Sequence, residues 1–201
     1  MISKHNIINL YSEIYNYIVF FLEHQPPKLP EKVSQILFVC KGNVCRSAMA
    51  EYISRKIAHN YKLENIKFYS RGLEVSKKNP AEQNAILVCK ENGIDLSTHR
   101  STSLSDDDMY TSDMVITMEY KQSRYLRRKY PLLKDKIILL PFFMNKRSIG
   151  LNSMSIKDPY GRPIYDFEHC YNYIFSCINN LFYQMKANRE GALHNPILQK
   201  T

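Results

Sequence analysis

Four short strand-like runs, each followed along the chain by a stretch of helical period, constrain this 201-residue chain more than any other feature. QILFVC at 35–40 precedes RSAMAEYISRKIAHNY at 46–61, and NIKFYS at 65–70 precedes NPAEQNAILVCKENGI at 79–94. DMVITM at 113–118 precedes EYKQSRYLRRKYP at 119–131. KIILLP at 136–141 comes before YDFEHCYNYIFSCINNLFYQMKAN at 165–188, a long closing helix ended by Gly191. The apolar run QILFVC suits a strand buried on both faces, and the other three read as strands. Alternation with helices implies right-handed crossovers and helix layers above and below one sheet. The expected fold is α/β: a three-layer α/β/α arrangement with a central four-stranded parallel sheet. Pro80 sits early in its helix and Gly93 is placed to stop it. SDDDMYTSD, 105–113, reads as a solvated acidic turn and helix start.

The N-terminal region differs. Ile7, Leu10, Tyr11, Ile14, Tyr15, Ile18, Phe21 and Leu22 form one apolar stripe at helical spacing, and QPPKLPEK at 25–32 breaks it. The expected organisation is a helical extension with a Pro-rich linker over 1–34, a domain over 35–190 and a tail over 191–201. The stripe reads as a helix docked on its own domain or as an interaction element. Its longest apolar run, Tyr17 to Leu22, is too short to span a bilayer, and no cleavage site for a signal peptide follows.

Five cysteines, Cys40, Cys45, Cys89, Cys170 and Cys177, make an odd set without the pairing pattern of a secreted scaffold. A reducing, cytoplasmic setting is expected. Cys170 and Cys177 lie two helical turns apart, about 10 Å, too far for a disulfide within one helix. The formal charge of +9 suits an anionic partner. Its lysines and arginines are scattered, and no nucleic-acid recognition motif is present, so nucleic acid is not the expected partner.

The turn after the first apolar run carries the chemistry. Cys40-Lys41-Gly42-Asn43-Val44-Cys45-Arg46-Ser47 joins a strand end to a helix start. Backbone N–H groups at such a turn, with the positive end of the helix, bind phosphate. It is not a nucleotide loop, for no Gly-Lys-Ser/Thr follows. Helix start and arginine together favour the nucleophilic thiolate of Cys40. Arg46 can grip two phosphoryl oxygens at once. Ser47 is placed to donate to the sulfur, and Asn43 suits a left-handed backbone position that Gly42 also eases. Cys45 reads either as a silent loop residue or as a redox partner of Cys40.

This loop, with Ala-Met-Ala-Glu after it, resembles the signature of the low-molecular-weight protein tyrosine phosphatases. The similarity continues in motif order over roughly 35–188. YSRGL resembles the family's Ser-Ala-Gly stretch, with Ser70 in place and Arg71 departing from it. The segment 79–104 resembles the family's helix, Gly-Ile turn and following histidine, here His99. DPYGRPIYDFEHCYNYI resembles its Asp-Pro-Tyr loop and closing helix. The resemblance implies Cys40 as nucleophile forming a phosphocysteine, Arg46 as the oxyanion clamp and Asp158 as general acid and base. It further implies Lys41, Gly42, Asn43, Val44, Cys45, Ser47 and Tyr160 as the substrate cradle. Ser70 and His99 join Asn43 and Ser47 in a supporting network. No metal or other cofactor is implied. Tyrosine-phosphorylated proteins are the implied substrates, without stable membrane insertion, and a monomer is expected.

Alternatives on the same fold are a phosphoarginine phosphatase, which carries Thr where Val44 stands, and an arsenate reductase, which needs two further shuttling thiols. A non-catalytic phosphotyrosine-binding protein is the alternative of another class. Lys41 and Arg71 add positive charge near the site, which suits acidic sequence around a substrate tyrosine.

Overall fold

A computed structural model describes residues 27–144 and 155–191. The stripe at 5–24 lies outside the described residues. Four strands, β1 (Gln35–Cys40), β2 (Lys67–Gly72), β3 (Met114–Thr117) and β4 (Ile137–Leu139), form one parallel sheet in the order β2-β1-β3-β4. Among the described residues five helices surround it: α1 (Arg46–Ile57), α2 (Gln83–Glu91), α3 (Asp106–Thr111), α4 (Tyr120–Lys129) and α5 (Ile164–Arg189).

The period-two geometry of a strand divides β1 between two cores. Ile36 and Phe38 join the larger one, with Met49 and Ile53 of α1, Val88 of α2 and Phe167, Ile174 and Phe182 of α5. Leu37 and Val39 face the other way, against Met109 of α3 and Leu126 of α4. Both faces of β1 are therefore dry, which is why its sequence shows no polar alternation. The result is the expected three-layer α/β/α arrangement.

Local chemistry moves several element ends. The second helix begins at Gln83 rather than near Pro80, because the Glu82 carboxylate caps it, accepting from the N–H groups of Asn84 at 2.7 Å and Ala85 at 3.4 Å. Pro80 instead bridges Arg100 in an antiparallel contact. Gly93 does stop the helix, at φ +66°. Ser105 and Asp108 close a reciprocal capping box on α3. The apolar run ending at Pro141 is strand only over 137–139, and proline-led 3-10 turns occupy 131–136 and 140–143. α1 likewise gives way to a 3-10 turn at 58–61.

The strand order reverses between β1 and β3, whose chains run parallel. That crevice, at the carboxyl ends of the strands, is where open parallel sheets bind ligands. The loop after β1 opens there.

Candidate active site

Cys40 is the last residue of β1 and Arg46 the first of α1, so five residues must turn the chain between strand and helix. Asn43 takes the left-handed conformation at φ 54°. Gly42 does not, and a Cβ there would meet only Val44 at 3.8 Å, so the turn does not depend on its backbone freedom. The close approach falls on Gly72 at the end of β2. A Cβ on it would lie 2.9 Å from the Lys41 carbonyl. That contact lets the chain after β2 brace the loop: Leu73 N–H donates to the Cys40 carbonyl at 3.0 Å and Glu74 N–H to that of Lys41 at 2.9 Å.

The Cys40 sulfur is buried, 3.0 Å from Ser47 Oγ and 3.3 Å from the N–H of Asn43. The Asn43 amide donates to Ser47 Oγ at 3.0 Å and to Ser70 Oγ at 2.8 Å. The Ser70 hydroxyl donates in turn to Glu51 Oε2, at 2.5 Å. Ser47, already an acceptor, shares its hydrogen between the sulfur at 3.0 Å and the Arg71 carbonyl at 3.4 Å. Asn43 Oδ1 accepts from Thr102 N–H at 2.8 Å, and its carbonyl lies 2.7 Å from His99 Nε2, which fixes the Nε2–H tautomer. Burial lowers the His99 pKa, outweighing the Asn43 carbonyl and Glu51, so the ring is held neutral.

Arg46 is almost fully buried, and carboxylates surround its guanidinium. Nη2 meets Asp158 at 2.5 Å, while Nη1 meets Glu119 and donates to the Ile156 carbonyl at 3.0 Å. Burial works against its charge, but the Cys40 sulfur, Asp158 and Glu119 outweigh it and keep the group protonated. Its Nε–H has no partner among the described residues.

A cleft of about 760 Å³ opens over this loop, lined by Cys40, Val44, Arg46, Lys77, Asp158 and Tyr160 among others. Tyr160 is mostly exposed at its rim. Lys41 is exposed and pairs with Glu74 at 3.5 Å. Arg71 does not offer free charge to the cleft: it pairs with Asp108 at 2.9 Å. Cys45 stands at the N-cap position of α1 without a side-chain capping bond and is buried; burial, with Asp158 next, pushes its thiol pKa up. Burial likewise raises Cys89 and Cys170 to about 12. Among the described residues no group of three or more His, Cys, Asp or Glu is placed to hold a metal ion.

The structure thus brings Cys40, Asn43, Arg46, Ser47, Ser70, His99 and Asp158 into one connected site. Sequence reasoning missed Glu51, Glu119, Thr102 and Gly72 as parts of it. Glu51 and Gly72 stand inside quoted motifs, whereas nothing in the local sequence of Glu119 points to Arg46, 73 positions away.

Residues 35–191 match the family model described as low molecular weight phosphotyrosine protein phosphatase. The chain is 32% identical over 152 residues to the chicken (Gallus gallus) low molecular weight phosphotyrosine protein phosphatase, covering 73% of this chain and 92% of the relative. It is 28% identical to a protein-arginine-phosphatase of Bacillus subtilis, covering 77% and 98%. Its fold is similar to the solved low molecular weight protein tyrosine phosphatase from T. tengcongensis, with a TM-score of 0.67 at 32% identity, covering 75% and 99%. The chain belongs to the low molecular weight phosphotyrosine protein phosphatase family.

Proposed function

We propose that this chain dephosphorylates phosphotyrosine in proteins through a phosphocysteine on Cys40. The observation that carries the reading is the Cys40 sulfur, held by Ser47 and the Asn43 N–H in one cleft with Arg46 and Asp158. In the free protein the Asp158 carboxylate lies on the guanidinium, where a phosphoryl group would bind. An arriving phosphoryl group takes that place, and its oxygens also meet the unpartnered Nε–H of Arg46. The negative charge it brings favours the protonated form of the displaced Asp158.

Cys40 then attacks phosphorus as the phenolate leaves, and Asp158 gives that oxygen its proton. Loop N–H groups and Arg46 hold the three equatorial oxygens. In the second step Asp158 takes a proton from water, which attacks the phosphocysteine, releasing phosphate and restoring the thiolate. Lys41, Gly42, Val44 and Cys45 contribute the rest of the cradle, and Tyr160 walls the aromatic slot. Ser70 and His99 act through Asn43, holding the loop shape.

Val44 offers no hydroxyl to a phosphoramidate, which favours phosphotyrosine over phosphoarginine. Cys89 and Cys170 are buried, which disfavours an outward thiol shuttle for arsenate. We read 35–190 as the catalytic domain, with 1–34 and 191–201 appended. Five free cysteines suit a cytoplasmic setting. Turnover of phosphotyrosine, phosphoserine, phosphoarginine and arsenate, measured side by side on wild type and Cys40→Ser, tests the reading. Phosphotyrosine turnover lost in Cys40→Ser, with phosphate binding retained, is expected. Retained turnover removes the covalent mechanism.

A further inference from the structure

α4 lays one face on the sheet, burying Gln122, Ser123 and Leu126. Its opposite face carries Lys121, Arg124, Tyr125 and Arg128, spaced so that all four lie along one exposed stripe. Among the described residues no carboxylate pairs with Lys121, Arg124 or Arg128. Their neighbours differ: Lys129 is neutralised by Asp106 at 3.5 Å, and Arg127 donates to the Lys134 and Ile137 carbonyls. Just beyond the helix, Leu132 is 93% exposed, the most exposed large apolar side chain among the described residues, and Tyr125 is 53% exposed.

We propose that this stripe docks the protein on an anionic membrane surface. Three unpaired cations on a convex helix face suit a flat layer of negative headgroups. Leu132 and Tyr125 separate that partner from the others. An aliphatic side chain gains nothing from a nucleic-acid backbone, and one helix face forms no groove for an acidic peptide. Both side chains gain on entering the boundary between headgroups and acyl chains. The protein lies on the bilayer rather than spanning it, since no described helix is long and apolar enough to cross a membrane. α4 starts directly after Glu119, the partner of Arg46, so the docked face begins beside the catalytic cleft.

The test is sedimentation of the full chain with vesicles of phosphatidylcholine, with and without phosphatidylserine. Each cation near an anionic surface multiplies partitioning about fivefold, so three give roughly a hundredfold preference for the anionic vesicles, lost at high salt. The triple variant K121E/R124E/R128E should fall to the phosphatidylcholine level while turning over a small aryl phosphate at the wild-type rate, which shows that it folds. Leu132→Ser should weaken binding about tenfold. Anionic-vesicle binding unchanged in the triple variant, or no preference for phosphatidylserine, overturns the proposal. So does capture of RNA or polyglutamate through the same cations without binding to vesicles.

Discussion

The Asp158 carboxylate lies 2.5 Å from Nη2 of Arg46, on the group that the proposed mechanism assigns to the substrate phosphoryl. An anion entering the cleft must displace it and then tolerate its charge. Asp158→Asn removes that competition, which is worth about 1 kcal/mol for two charges near 4 Å in a wet cleft. Inhibition by inorganic phosphate should tighten roughly fivefold in this variant. Weaker inhibition would mean that Asp158 itself holds the anion.

At the opposite end of the strands, Asp113 Oδ2 accepts from Ser34 N–H at 2.7 Å, Ser34 Oγ at 2.7 Å and Gln35 N–H at 2.9 Å. These bonds tie the start of β1 to that of β3. Burial raises the Asp113 pKa, but the three bonds and Lys136 outweigh it and lower it overall. Asp113→Ala should cost about 1–3 kcal/mol in denaturant unfolding at pH 7. A lowered carboxyl pKa contributes stability above its unfolded value of about 3.9, lost as pH falls through the folded value. The gap between variant and wild type should therefore shrink toward acid pH. Turnover by the folded variant should be unchanged, since the site lies at the other end of the strands.

His99 supplies the opposite test of pH. Its folded pKa is lowered by burial, below an unfolded value of about 6.5. The unfolded chain then binds more protons, so this residue's unfavourable contribution is absent at high pH and grows as pH falls below the unfolded value. His99→Gln keeps a donor for the Asn43 carbonyl and cannot become charged. Relative to wild type it should gain stability between pH 7 and pH 5 in denaturant titrations. A gap independent of pH would show that the ring titrates alike in both states.

What could be read in the sequence follows from the range of the forces involved. β1 is apolar from Ile36 to Cys40 because both its faces are covered, and that pattern needs no knowledge of its partners. The loop from Cys40 to Ser47 is also local, since eight consecutive residues supply the sulfur, the guanidinium and the left-handed turn. Ser70, His99 and Asp158 were named through family resemblance, not through spacing. The pairings that complete the site, Arg46 with Glu119 and Ser70 with Glu51, depend on which strand ends meet, and a linear pattern does not carry that. Arg71 shows the converse. It read as free charge beside the site because its partner Asp108, 37 positions on, is brought to it only by the fold. The late start of α2 has a smaller cause, a glutamate cap that outcompetes the proline two residues before it.

The role of Asp158 in the chemical step can be separated from its hold on Arg46 by changing the leaving group. Phosphotyrosine leaves as a phenolate whose parent acid has a pKa of about 10. Expelling it without a proton is slow, so a general acid should contribute roughly a hundredfold or more. A nitrophenolate is a better leaving group and needs less help. Asp158→Asn should therefore cut kcat/KM for phosphotyrosine far more than for nitrophenyl phosphate. Any effect on anion binding is common to both substrates and cancels in the ratio. The alkaline limb of the pH–rate profile, which reports an acid losing its proton, should disappear in the variant. Equal losses on both substrates would place the acid elsewhere. Asp113 is not available for that role, since its carboxylate is tied to Ser34 and Gln35 at the far end of the strands. Asp166 would be the next residue to substitute, because it lines a second cleft that also reaches Asp158.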